Sequence, residues 1–280
     1  MTGLRDAGLL ETVLVAHSVT GTGPPLLLIA GTGYAGDTWR LPELMAQLEP
    51  HRTVVTFDHR GTGATAGMPG DYSTRLFAAD AARLLDELGL GPVDAIGHSM
   101  GGRILQWLLL DRPELVRRAV MAASGPGQFD ASRPVTRGIP LKPAVMIAEH
   151  GFEGYIRHQI ATTFFTPEFR DASPKRVEWL IRAYLDTRPS IEDYFKHVIA
   201  RQQHETTARL SEIAHPCLVL VGDRDTHQGG TGSHWEQSQY LAKHLPNAPF
   251  RAIAGCAHGY FWQAPEQSAS IVLEWLDAAA

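Results

Sequence analysis

The segment Gly97-His98-Ser99-Met100-Gly101-Gly102 holds the residue types that nucleophilic catalysis requires. An apolar run, 93–96, precedes it and a helical run, 103–110, follows. In that setting of strand, tight turn and helix, a G-x-S-x-G sequence lifts a serine hydroxyl above a sheet edge. Glycine at 97 and 101 lets the backbone bend where a side chain would collide with neighbouring elements. The amide of Met100 then falls at a helix start, aimed where negative charge would develop. The plain alternative is an ordinary βα turn. A serine hydroxyl is a weak nucleophile near neutral pH, so it needs a base and a group to orient that base. Two loops further along carry such groups: Gly222-Asp223-Arg224-Asp225 and Gly255-Cys256-Ala257-His258-Gly259.

These loops act together only if the elements beneath them bring them to one edge. Strands are expected over 12–17, 26–30, 52–57, 93–96, 118–122, 217–221 and 250–253, with a turn at 20–23. Helices are expected over 38–48, 74–88, 102–111, 236–244 and 268–278. Ser73 can cap the second of these and Gly89 can stop it. The alternation implies an α/β fold with a mostly parallel central sheet and helices on both faces. In such sheets, ligands bind at the C-terminal strand ends, where the three loops would lie. The rhythm breaks between 124 and 210, where helical patterns cover 144–150, 154–165, 174–187 and 191–209 without a convincing strand. An inserted helical lid is the favoured reading, giving a core of 1–124 and 211–280 and a cap of 125–210. Oversized crossover helices are the alternative.

In the order serine, aspartate, histidine, Gly97-x-Ser99-x-Gly101, Gly222-x-x-Asp225 and Gly255-x-x-His258 resemble the α/β-hydrolase superfamily. The resemblance extends over nearly the whole chain. Leu28-Ile29-Ala30-Gly31-Thr32-Gly33 is similar to the family's oxyanion loop, and Phe57-Asp58-His59-Arg60-Gly61-Thr62-Gly63 to its D-x-R-G-x-G turn. The resemblance implies Ser99 as nucleophile, His258 as general base and then acid, and Asp225 as the group that orients His258. It further implies the backbone amides of Met100 and Thr32 as oxyanion donors. Asp223 and Asp130 stand as alternatives for the acid. His59 reads as a loop-stabilising residue, and Asp58 with Arg60 as a pair holding the turn. Two departures stand out: Ala30-Gly31 replaces the common His-Gly, and a glycine-rich stretch, 226–234, follows the acid. That stretch could be a mobile loop at the pocket mouth or a solvated connection.

A serine at this turn argues against the haloalkane dehalogenase and epoxide hydrolase branches, which need an aspartate. The lack of proline after Gly31-Thr32 argues against perhydrolases and haloperoxidases. What remains is cleavage of an ester, lactone, thioester, C–N bond or vinylogous C–C bond. The two loops resemble those of small-molecule catabolic members such as enol-lactonases, aminoacrylate hydrolases and ring-cleavage-product hydrolases. A cofactor-independent enzyme using His258 as base with Ser99 only positioning, or a ligand-binding protein with a vestigial triad, are the other readings. The expected lid is rich in aromatics (Phe152, Tyr155, Phe164, Phe165, Trp179, Tyr184, Tyr194 and Phe195), which suits a small, mostly apolar substrate. Arg157, His158, Arg182 and Arg188 are its candidates to meet a carboxylate. Gly31, Gly33, Tyr34, Phe165 and Tyr260 are expected to line the substrate site. No cofactor or metal is expected.

Composition sets the remaining bounds. A formal charge of −5, with 25 scattered Lys and Arg, gives no electrostatic reason to bind nucleic acid or an anionic membrane. No apolar stretch approaches the roughly 20 residues needed to span a bilayer, and residues 1–16 lack the pattern of a signal peptide. Cys217 and Cys256 lie in or beside apolar runs and read as core residues of a reducing compartment. The expectation is a cytoplasmic monomer or homodimer acting on a small molecule.

Overall fold

In the computed structural model, which describes residues 14–133, 138–226, 228–229 and 232–278, the central element is a seven-stranded sheet. Its strands are β1 (His17–Gly21), β2 (Pro25–Ile29), β3 (Thr53–Phe57), β4 (Val93–His98), β5 (Val116–Ala122), β6 (Cys217–Gly222) and, after a two-residue ladder of β7 (Gln228–Gly229) and β8 (Gly232–Ser233), β9 (Phe250–Ile253). They lie in the order β1-β3-β2-β4-β5-β6-β9. Only β1 runs antiparallel, pairing His17–Gly21 with Phe57–Thr53. The other neighbours are parallel. The architecture is therefore α/β with a mostly parallel sheet, as the alternating pattern implies.

The central strands are continuous apolar runs because both of their faces are covered. Alternate residues face opposite layers. Leu26, Leu28, Ile96, Val120 and Leu220 pack with Trp39, Trp262 and Val272. Leu27, Ile29, Ala95, Met121 and Val219 pack on the other side with Phe77, Leu105 and Leu108. Helices α1 (Pro42–Leu48) and α10 (Pro265–Asp277) contact each other, as do α2 (Thr74–Glu87) and α3 (Met100–Asp111). Ser73 caps α2 by accepting the Leu76 amide at 3.0 Å. Both cysteines are buried free thiols.

Between β5 and β6 the described chain carries four helices and no strand: α4 (Leu141–Gln159), α5 (Pro167–Ala172), α6 (Pro174–Asp186) and α7 (Ile191–Gln202). Helix α8 (His234–His244) follows the two-residue ladder, and the short α9 (Tyr260–Gln263) precedes α10. No helix among the described residues is long and apolar enough to cross a membrane.

Several boundaries differ from the sequence pattern, each for a local reason. The first strand is His17–Gly21 rather than 12–17, so two residues expected in a turn are paired. It is an edge strand with alternating exposure and little apolar signal of its own. Residues 12 and 13 lie outside the described residues. The expected helix over 38–48 divides into a short 3-10 turn, Gly36–Trp39, and α1, because Pro42 suits only a first helical turn. Patterns at 144–150 and 154–165 merge into α4, broken at Gly151 by φ 71°, followed by a π turn at Ile160–Phe164. Helix α7 stops at Gln202, short of 209, and a 3-10 segment at Thr207–Glu212 leads to β6. Residues 134–137 of the expected cap, and 227, 230 and 231 of the glycine-rich stretch, lie outside the described residues.

Candidate active site

Sheet order locates the site. The chain leaves β2 toward β3 on one side, then returns across β2 to form β4 on the other. The loops after β2 and β4 therefore diverge, opening a crevice at the C-terminal ends of those strands. Gly31 and Thr32 follow β2, and Ser99 follows β4. An α-carbon substituent at Gly31 would stand 3.3 Å from Ser99 Cβ.

Ser99 has φ 57° and ψ −118°, and with Ala123 it is one of two described non-glycine residues at positive φ. Such a conformation costs about 1–3 kcal/mol and persists only where its surroundings enforce it. Here β4 passes its last residue directly into α3, with the Ser99 amide donating to Ala122 O at 2.8 Å. The glycines make room for this bend. A Cβ at Gly97 would lie 2.4 Å from Gly101 O, and one at Gly101 only 2.1 Å from Ile29 O. Met100 is the first residue of α3, so its amide has no partner within the helix.

His258 sits on the loop between β9 and α9. Its imidazole is 4% exposed, and Nδ1 donates to Asp225 Oδ2 at 2.7 Å. The two loops are locked together by backbone: Asp223 N donates to Ile253 O at 3.0 Å and Arg224 N to Cys256 O at 2.9 Å. Gly222 permits this approach, since a Cβ there would lie 2.2 Å from Cys256 O. Neither alternative acid reaches His258. Asp223 accepts the Gly255 amide at 2.8 Å, and Asp130 holds Ser132 and Arg133 near the surface.

Asp225 also binds a second imidazole. His234, the first residue of α8, lies with Nδ1 3.2 Å from Asp225 Oδ1. Its ring stacks on that of His258 at 4.1 Å and 27°. Burial, and secondarily the charge of His258, push His234 down to about 4 despite the Asp225 carboxylate. It is therefore neutral near pH 7, donating through Nδ1 and leaving Nε2 without a partner among the described residues. Burial acts to raise the pKa of Asp225, but the two histidines outweigh it and hold the carboxyl well below the usual range. The atoms of Asp225, His234 and His258 that could ligate a metal lie within 4.8 Å of one another. Sequence reasoning missed His234. Its signal was position alone, directly after Ser233, the serine of the α8 capping box.

Ser99, His258 and His234 line one cavity of about 600 Å³, together with Gly31, Thr32 and Tyr34. Other expected lining residues are placed elsewhere. Gly33 donates its amide to His197 Nδ1 at 3.2 Å. Phe165 stacks on Phe169 and borders a separate, outer cavity. Tyr260 is fully buried under the sheet edge, donating to Leu220 O at 3.0 Å. Of the aromatics that reach the cavity only Phe164 lacks a polar group; Tyr34, Tyr155, Tyr184 and Tyr194 bring hydroxyls with them, so the lining is more polar than aromatic content alone implies. Tyr155 and Tyr194 share a hydrogen bond of 2.8 Å, whereas the buried hydroxyls of Tyr34, Tyr184, Thr32 and Ser124 have no partner among the described residues.

The Asp58-His59-Arg60 turn is held differently from expectation. Asp58 accepts the amides of Gly36 at 2.9 Å and Ala64 at 2.8 Å, while Arg60 forks onto both oxygens of Asp80 at 2.6 Å. The two residues thus stabilise the turn separately and do not pair with each other. His59 is buried and donates from Nε2 to Ala30 O at 3.0 Å, bracing the loop that carries Gly31.

These packed histidines set an acid limit on the fold. Burial holds His59 and His234 at about 4 and His197 at about 3, and His98 and His204 well below the ordinary value. In the unfolded chain each takes up its proton near pH 6.5. Below that value the unfolded state binds more protons, so stability falls as pH drops from about 6.5 toward 4. Melting temperature measured from pH 8 to pH 4 is expected to hold level above 7 and then decline steeply. A flat profile through that window would contradict neutral burial.

The fold and this site define the class. The model of the alpha/beta hydrolase fold family matches residues 24–265, and the chain belongs to that family. It is 30% identical over 225 residues to "Putative carbamate hydrolase RutD" of Pseudomonas savastanoi pv. phaseolicola (strain 1448A / Race 6), covering 79% of this chain and 82% of that one. It is also 40% identical over 119 residues to "Putative non-heme bromoperoxidase BpoC" of Mycobacterium tuberculosis, a match spanning 42% of this chain and 45% of that protein, less than half of either. The solved structure of the enol-lactonase from Burkholderia xenovorans LB400 superposes with a TM-score of 0.80, covering 94% of this chain and 96% of that one at 18% identity, a likeness of fold alone.

Proposed function

We propose that the protein is a serine hydrolase that cleaves a small carboxylic ester, lactone or related acyl compound through an acyl-enzyme at Ser99. The observation that carries this reading is the strained Ser99 opening onto the same cavity as a buried His258–Asp225 pair. In this mechanism Ser99 Oγ attacks the substrate carbonyl carbon while His258 Nε2 accepts the hydroxyl proton. Asp225 keeps the other proton of the ring on Nδ1, so that Nε2 faces the nucleophile as a lone pair. The backbone amides of Met100 and Thr32 receive the oxyanion, each contributing about 3 kcal/mol to lowering the barrier. The intermediate then expels the alcohol, which takes its proton from His258. Water, deprotonated by His258, finally attacks the acyl carbon and returns Ser99 to its starting state.

Residues 125–210 act in this reading as a cap, closing the cavity with Tyr155, Tyr184 and Tyr194. A carbamate or other acyl C–N bond is the second reading, favoured by the similarity to the protein named as a carbamate hydrolase. It uses the same attack on a carbonyl.

A fluorophosphonate probe tests the nucleophile without prior choice of substrate. Stoichiometric labelling at Ser99, abolished in Ser99→Ala, is the expected result. A folded protein that takes up no label would sink the acyl-enzyme mechanism.

A further inference from the structure

We infer that the substrate carries a carboxylate, which Arg103 and Arg201 bind at one end of the cavity while its ester or lactone carbonyl lies at Ser99. This deepens the serine-hydrolase reading and rests on it.

Arg103 stands four residues after Ser99 on α3, one helical turn away and on the same face. It is 7% exposed and lines the same cavity. Its guanidinium donates to Arg201 O and to Gln237 Oε1, each at 2.8 Å, and both acceptors are uncharged. No carboxylate lies within ion-pair distance of it among the described residues. Glu205 is the acid that acts on it electrostatically, but the Glu205 oxygens accept the amides of Gln128 and Thr207, each at 3.0 Å. Compare Arg60, whose fork is filled by Asp80.

A second cation aggravates the imbalance. Arg201, in the last turn of α7, lines the cavity too, and its guanidinium has no hydrogen bond or ion pair among the described residues. Burial foremost, and then the like charge of Arg201, push Arg103 down to about 9, which still leaves it charged near neutrality. Ser124, 1% exposed, lines the same cavity, and its hydroxyl has no partner among the described residues. It abuts the start of α3, since a Cβ at Gly102 would stand 2.6 Å from Ser124 Oγ.

Two unneutralised guanidiniums and an orphaned buried hydroxyl are the complement of a carboxylate. A planar guanidinium fork matches its two oxygens, and the hydroxyl supplies a further donor. The cap arginines that look eligible from sequence are committed elsewhere: Arg157 to Glu153 and Glu178, Arg182 to Glu178, and Arg188 to Leu185 O. The separation of one helical turn suits the half-ester of a short dicarboxylic acid.

The test compares p-nitrophenyl half-esters of succinate, glutarate and adipate with neutral p-nitrophenyl esters of equal chain length. The expected result is a kcat/KM ratio, acidic over neutral, of at least about tenfold in the native protein, since each tenfold needs only one modest charge contact. That ratio is expected to fall at least tenfold in Arg201→Ala, chiefly through KM for the half-esters. Arg103→Gln should do the same, but Arg103 also ties α3 to α7 and α8, so that variant is read only if its circular dichroism is native. Arg201→Ala removes a side chain that makes no hydrogen bond or ion pair among the described residues, and so keeps the test decisive. A native ratio near one, or a ratio unmoved in Arg201→Ala, overturns the carboxylate site. If neutral esters are cleaved and Ser99 takes the fluorophosphonate, only the carboxylate inference has failed. If no ester is cleaved and Ser99 is not labelled, the serine-hydrolase reading has failed and this one with it.

Discussion

Ser99→Ala is expected to lower kcat on an ester substrate by on the order of 10⁶-fold, the loss found where nucleophile and base act as one unit. The same change should leave the fold intact. Alanine keeps the Cβ that already fits the turn, and the Ser99 hydroxyl makes no hydrogen bond among the described residues. Melting temperature is therefore expected to stay within about a degree or two, since surface-like changes alter stability by under about 0.5 kcal/mol. A useful companion is Ser99→Gly, which should be as inactive but slightly more stable because it relieves the positive φ. Stopped-flow release of p-nitrophenol from the butyrate ester measures the rate. Retention of most turnover in Ser99→Ala would transfer the chemistry to His258 acting alone as a base.

Asp225→Asn is expected to lower kcat by about 10⁴-fold. An asparagine can present its amino group to His258 Nδ1, which moves the ring proton to Nε2 and removes the lone pair that should take the serine proton. The shared carboxylate makes this position more exacting than a simple pair. Asp225 accepts from His258 on Oδ2 and from His234 on Oδ1, whereas asparagine offers one acceptor and one donor. Whichever way the amide turns, one imidazole loses its acceptor. His234→Gln is expected to cost much less, because a glutamine amide can still donate to Oδ1 and leaves His258 paired. Steady-state kinetics at pH 8, with all three proteins checked for folding, separates the effects. An Asp225→Asn variant within tenfold of the native rate would remove Asp225 from the proposed triad.

What was legible in the sequence follows from where each residue's signal comes from. Runs such as 26–30 and 217–221 are apolar throughout because both sheet faces are covered, so they read clearly. The edge strand His17–Gly21 owes its pairing to β3, and a sequence window does not contain β3. Ser99, Asp225 and His258 were readable because strand ends and glycines punctuate them. Their proximity, with Asp223 and Asp130 turned elsewhere, is a property of the packed loops. His234 and Arg103 gave no such punctuation: one closes a glycine-rich stretch, the other lies inside an apolar helix. The arginines that stood out in the cap are those that the structure commits to surface ion pairs and a helix-end carbonyl.

The π turn at Ile160–Phe164 bears directly on the loop of His258. Phe164 O accepts the Gly259 amide at 2.8 Å, Thr163 O accepts the His258 amide at 3.4 Å, and the Phe164 ring meets the His258 imidazole edge-on at 5.0 Å. A Cβ at Gly259 would stand 2.7 Å from Phe164 O, so the two backbones cannot part company without breaking this seam. The helices above the sheet are therefore not an interchangeable module. A chimera that imports foreign helices across this turn would re-aim His258, the proposed base, along with the pocket, altering turnover and selectivity in one stroke. Recombination joints placed before residue 160 would leave the seam whole and let selectivity vary on its own.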